Sequence, residues 1–180
     1  MKSIYVALCW VVVMVTGLVA CSDDEGKTIP AHTEAEKLWI AQNQAYFQER
    51  KAIVEEDGQL LYQQLVVEDD TLLYRVLEVG QVDSVPTIDS DAKVSMLGIL
   101  PVSKDQIVGD SKGNPVEMTF DLDSPDLIKG LAALLLQTHK GERVETIIPY
   151  QLGYGEKDYP YPYIPLCSTL QFTLTVKSFE

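Results

Sequence analysis

The chain reads as an α+β domain in which a mostly antiparallel sheet packs on one short central helix, with a further helix ahead of it. Three patterns predict this. Apolar and period-two segments recur before and after a single Leu-rich stretch at Leu131, Leu134, Leu135 and Leu136. A capping box followed by apolar rows at seven-residue spacing marks the earlier helix. The 180 residues are 46% apolar and 23% charged, which suits one ordinary domain with a sizeable core.

The N-terminus is read as an address. Lys2 precedes an apolar run over residues 4–15, then Leu18-Val19-Ala20-Cys21 and an abrupt polar stretch. A basic start, a short apolar region and small residues at a cleavage point make a secretory signal, and the run is too short to be preferred as a membrane span. Leu18-Val19-Ala20-Cys21 resembles the lipobox of bacterial lipoproteins, a family whose signal is cut before the Cys that then carries lipid. That resemblance implies a signal peptide over residues 1–20 and membrane attachment through lipid on Cys21. Ser22-Asp23-Asp24-Glu25 is similar to the acidic signals that send some lipoproteins to the outer face of the outer membrane, and reads equally as a solvated linker. The expectation is an outer-membrane lipoprotein, cell-surface exposed or facing the periplasm. Cys9 leaves with the signal, Cys21 is acylated and Cys167 has no partner, so no disulfide framework is available.

In the mature chain, residues 21–32 are polar, contain Gly26 and Pro30, and form a tether. Thr33 and Glu36 make the capping box of a helix over residues 33–57, stopped by Gly58. Trp39, Tyr46 and Ile53 form one apolar row and Ile40, Phe47 and Val54 another. Asn43 and Arg50 interrupt the seam, so the face packs on its own domain or, as a second expectation, forms a homodimer contact. Strands follow at 72–79, 94–100 and 116–120, the last alternating as Val116-Glu117-Met118-Thr119-Phe120. Ser124-Pro125-Asp126 supplies an N-cap, a first-turn Pro and a favourable acid for the central helix, which ends near Gly141 with His139 complementing its dipole. Two more strands fall at 144–148 and 169–176. The whole of 58–180 is one domain, with no internal repeat.

Several chemistries are excluded. A net charge of −13 argues against nucleic acid as a partner. His32 and His139 share no metal-ligand spacing, and Asp69-Asp70 and Asp89-Ser90-Asp91 lack the spacing of a calcium loop. No phosphate loop, dinucleotide fingerprint or nucleophile elbow occurs. No cofactor is expected.

Ile148-Pro149-Tyr150-Gln151-Leu152-Gly153-Tyr154-Gly155 and Ile164-Pro165-Leu166-Cys167-Ser168-Thr169-Leu170-Gln171-Phe172 resemble signatures of FKBP-type peptidyl-prolyl cis–trans isomerases. Leu127-Ile128-Lys129-Gly130 resembles the opening of that family's single helix, Gly141-Glu142-Arg143 the turn after it, and Tyr74-Arg75-Val76-Leu77-Glu78-Val79-Gly80 its first strand. Order and spacing agree across roughly residues 72–180. The resemblance implies an FKBP-like antiparallel sheet wrapped around one short helix, with an N-terminal helical extension. It implies catalytic roles for the Tyr154 hydroxyl and the Ile128 backbone N–H. Met96, Val116, Leu127, Leu131, Ile164 and Phe172 would form the substrate pocket. Leu131 stands where the family usually has a Trp, and Met96-Leu97-Gly98 where it has Tyr-Thr-Gly. The family's Phe-Asp pair is missing, with Asp110 a candidate for the Asp position, and Tyr159-Pro160-Tyr161-Pro162-Tyr163 replaces a Gly-rich loop.

The implied function is isomerisation of X–Pro bonds in proline-containing peptides or unfolded envelope proteins. Two further readings are a catalytically degenerate module that grips a peptide or envelope protein, and a structural surface lipoprotein assembling through helix 33–57.

Overall fold

A computed structural model describes residues 32–81 and 85–180. The expected signal peptide, the lipidation site Cys21 and nearly all of the tether lie outside the described residues. Helix α1 spans Glu34–Lys51. Strands β1 (Gln63–Val67), β2 (Asp70–Glu78), β3 (Asp91–Ile99), β4 (Gln106–Val108) and β5 (Val116–Asp121) precede helix α2 (Lys129–Leu135). Then come β6 (Arg143–Ile148), a 3-10 turn at Tyr150–Leu152, a small hairpin of β7 (Tyr159–Pro160) and β8 (Tyr163–Ile164), and β9 (Leu170–Phe179). The main sheet runs β1-β2-β6-β9-β3-β4, with antiparallel pairing throughout. The outer edge of β3 is shared: β5 pairs with its residues 91–96 and β4 with 98–99.

One face of this sheet closes around α2. Leu131, Leu134 and Leu135 bury against Leu72, Val94, Val144 and Leu174. Gly130 lets the helix lie this close, because a Cβ there would come 2.6 Å from Ile148 Cγ2. The other face carries α1, through a smaller core of Phe47, Tyr62, Leu73 and Ile147. Alternation along β6 explains the division: Val144 and Ile148 point to α2, Glu145 and Ile147 to α1.

The capping box of Thr33 and Glu36 forms as expected. The helix it opens ends at Lys51, not at residue 57. Ile53 and Val54 leave it because tertiary partners take their backbone: Leu61 N–H donates to Ile53 O at 2.9 Å, and Val54 bridges Leu60. Gly58, at φ +83°, belongs to the intervening turn. Asn43 does not weaken the seam but anchors it. Its Oδ1 accepts from Thr169 N–H at 2.8 Å, and its Nδ2 donates to Trp39 O. α1 thus packs on its own domain.

The central helix also starts later and ends earlier than the sequence suggests. Ser124 organises a turn, accepting from Asp126 N–H on its hydroxyl and from Leu127 N–H on its carbonyl. Ile128 becomes the N-cap in extended conformation, with no side-chain cap. His139 lies beyond the helix in the turn before β6, where its Nδ1 faces Glu142 Oε2 at 3.1 Å. Residues 74–80, expected as the first strand, fall in and just after β2; β1 precedes them.

Candidate active site

The site is built where the sheet's open edge meets the start of α2. The 3-10 turn leads into Gly153-Tyr154-Gly155, whose backbone is tied at both ends. Gly155 N–H donates to Tyr150 O at 2.9 Å, and Gly155 O accepts from Cys167 N–H at 2.9 Å. Gly155 has φ +77°, a conformation that side chains resist, so glycine sets the loop's exit. Tyr154 is thereby presented as a half-buried ring above the core. Its ring lies 4.3 Å from that of Tyr159, tilted by 33°. Burial first, and the neighbouring Tyr159 phenol second, push the Tyr154 hydroxyl above its ordinary range, so it is a neutral donor near pH 7. Among the described residues it has no hydrogen-bond partner.

Tyr154 is common to three adjoining hollows. One, of about 250 Å³, has Met96, Leu131 and Phe172 at its floor and Leu127, Ile128 and Met118 at its sides. That is smaller than the roughly 300–1,000 Å³ of drug-sized pockets and suits a side chain or two of a peptide. A second, under the β7–β8 hairpin, is walled by Val116, Ile164, Tyr159, Tyr161 and Pro162. The third runs along Leu127 and Ile128 toward Lys129. The structure therefore places Met96, Leu127, Ile128 and Leu131 in one hollow and Val116 and Ile164 in the next, with Tyr154 and Phe172 lining both.

The floor is closed: Met96 and Leu131 are 2% exposed and Phe172 3%. The hollow above it stays open because β5 contributes half-buried Met118 and Phe120 as a side wall. Phe172 reaches its place over a glycine. A Cβ on Gly98 would stand 2.5 Å from the Phe172 ring, so any larger residue there must displace it. Ile128, extended ahead of α2, leaves its backbone N–H without a described acceptor at the cleft. A phenol and an amide, both without a described partner, thus belong to residues that line a mostly apolar hollow.

Asp110 is a correction. It lines none of these hollows; its carboxylate accepts from Lys112 N–H, Asn114 N–H and Asn114 Nδ2 in a surface turn, and those bonds lower its pKa. The corresponding wall is apolar, made by Ile107 and Val108 of β4. Cys167 is buried, and burial raises its thiol, as befits a small packing residue. Met118 and Phe120 were legible in the alternation of β5, whereas nothing in the local sequence marks Val108.

A cleft of this kind, on a sheet curled around a short helix, belongs with the prolyl isomerases. Residues 84–177 match the family of FKBP-type peptidyl-prolyl cis-trans isomerases, and the chain is a member of that family. It is 35% identical over 105 residues to a probable FKBP-type peptidyl-prolyl cis-trans isomerase of Haemophilus influenzae, a stretch covering 58% of this chain and 41% of that protein. The fold is similar to the crystal structure of a peptidyl-prolyl cis-trans isomerase from Pseudomonas syringae, with a TM-score of 0.64 and 18% identity over 83% of this chain and 98% of that one. FkpA from Escherichia coli is similar with a TM-score of 0.60 and 26% identity, over 81% of this chain and 63% of that one.

Proposed function

We propose that the chain is a working peptidyl-prolyl isomerase that acts on proline-containing peptides or unfolded envelope proteins, held to the outer membrane by lipid on Cys21. The observation that carries the catalytic part is the open apolar cleft with the free Tyr154 hydroxyl and Ile128 N–H at its edge.

An X–Pro bond turns slowly because rotation breaks amide resonance, a barrier of roughly 18–20 kcal/mol. The twisted amide has lost conjugation and is less polar than the planar one, so a dry cleft disfavours the ground state relative to it. In this site Met96, Leu131 and Phe172 form the dry floor for the prolyl ring. The Ile128 N–H and Tyr154 hydroxyl hold substrate carbonyls while the bond between them rotates. No group transfers a proton or forms a covalent bond in this scheme. A purified chain that accelerates proline-limited refolding, with Tyr154→Phe slower, supports the reading; both at background would sink it.

The second reading, a peptide-binding module without turnover, is favoured by the aliphatic residues at the cleft wall and floor: Val108, Met96 and Leu131. A chain that binds X–Pro peptides but leaves refolding unchanged would establish it. For the anchor, labelling with a radioactive fatty acid in cells is expected to mark the wild-type chain and not Cys21→Ala. Protease shaving of intact cells then separates surface display from the periplasmic side.

A further inference from the structure

The aromatic hairpin over the cleft is anchored there by Ile164, 1% exposed, and by Tyr159, whose ring packs on Tyr154, but its turn is not. Tyr161 is 87% and Tyr163 62% exposed, and β7 and β8 pair only through Tyr159–Ile164 and Pro160–Tyr163. A two-stranded hairpin of this length is unstable on its own, so beyond those two contacts its exposed part depends on further bonds.

The fastening is a relay through one peptide unit on each side of Leu166. Its N–H donates to Asp158 Oδ1 at 2.8 Å, and its carbonyl accepts from Trp39 Nε1 of α1 at 3.1 Å. The other carboxylate oxygen of Asp158 accepts from the Tyr163 hydroxyl at 3.3 Å, at the far strand of the hairpin. Asp158 adjoins Tyr159, whose ring packs on Tyr154. The Asp158 carboxylate chiefly, then burial, raises the Tyr163 phenol, with Glu36 of α1 a smaller contributor.

We infer that Trp39 and Asp158 are positioning residues of the cleft, through which the N-terminal helix fixes the aromatic wall of Tyr159, Tyr161 and Pro162 against Tyr154. The inference rests on the isomerase reading for its kinetic consequence, and on the relay alone for its structural one. Without the relay the wall is displaced on average, so peptide binding weakens while the floor and the Tyr154 and Ile128 donors remain in place. The effect belongs in KM, with kcat spared.

The test uses the full chain with Trp39→Phe, which keeps the ring and removes the donor, and with Asp158→Ala and Asp158→Asn. For an X–Pro peptide, Trp39→Phe is expected to raise KM about threefold and Asp158→Ala about fivefold, with kcat within about twofold of wild type. Asp158→Asn retains an acceptor for Leu166 N–H and is expected to restore KM to within about twofold. Hydrogen exchange is read on the same proteins. Amides of 159–166 are expected to exchange about tenfold faster in Trp39→Phe and Asp158→Ala, with those of β3 and α2 unchanged. Unchanged KM in both variants of an active chain would overturn the inference, as would an equal fall in kcat. If wild type shows no turnover, the isomerase reading fails, and the exchange experiment decides the relay: unaltered exchange over 159–166 overturns it, local acceleration sustains it.

Discussion

The two faces of the sheet treat polar groups in opposite ways. Under α1, polar side chains are spent on the fold. Glu145 accepts from Arg75 Nε at 3.0 Å, from the Tyr62 hydroxyl and from Gln171 Nε2 at 3.2 Å, while Gln171 Oε1 accepts from the Tyr46 hydroxyl at 2.7 Å. Asn43, 1% exposed, has its amide oxygen, amide nitrogen and carbonyl all engaged. On the α2 face the core is almost wholly apolar, and the cleft keeps a phenol and an amide unused. A saturated network fixes one arrangement, whereas unspent donors beside a dry hollow are available to a ligand. The same strands supply both: in β9, Gln171 serves one face and Phe172 the other.

The sharpest way to break this contrast is at Gly98. Valine there drives its side chain into the Phe172 ring, and overpacking of this kind costs about 3 kcal/mol. We expect a clear fall in urea midpoint together with loss of isomerase activity, since the displaced ring is the cleft floor. On the opposite face, Asn43→Ala leaves the buried Thr169 N–H without its acceptor and is expected to cost about 2 kcal/mol. Turnover per folded molecule should stay near wild type, and a variant whose activity falls as far as its stability would show that the faces are not separable.

Tyr154→Phe inverts that pattern. It keeps the ring and removes a hydroxyl that no described residue uses, so denaturant midpoints should match wild type while kcat/KM falls about tenfold, roughly 1.4 kcal/mol. The smallest effect is in pH dependence. Burial, then the Glu145 hydrogen bond, raises the Tyr62 phenol well above its ordinary 10.0. Above about pH 10 the unfolded chain loses that proton while the folded chain retains it, so stability is whole below pH 10 and declines as pH rises beyond it. Tyr62→Phe is expected to flatten this decline in urea titrations between pH 9 and 11, and an unchanged slope would count against the buried phenol.

How much of this was legible follows from how local each signal is. The capping box of Thr33 and Glu36 closes within four residues, so sequence alone predicts it. The end of α1 is settled by Leu60 and Leu61 capturing the backbone of Val54 and Ile53, a pairing with no local mark. Ser124-Pro125 offers a credible helix start, but the hydroxyl closes a turn instead, and that turn is what leaves Ile128 extended at the cleft. Strand β1 begins with two glutamines and sits at the sheet edge, so its apolar alternation is weak. The site residues were legible through motifs that place glycine beside Tyr154 and an Ile-Pro before β9. Val108 was not, because only the pairing of β4 with Gly98 brings it to the wall.

Helix α2 has seven residues, no side-chain cap and no charge complementing its last turn. So short a helix does not persist in water by itself and depends on packing to exist. Its platform includes β9, which joins β6 to β3 across pairings as distant as Ala92 with Phe179. Such long-range closure is slow, because chain entropy is lost before contacts repay it. The helix, and with it the cleft, is therefore stable only on a closed sheet. Without β9 the cleft has no Phe172 floor, and α2 loses the Leu174 and Val176 side of the platform it packs on.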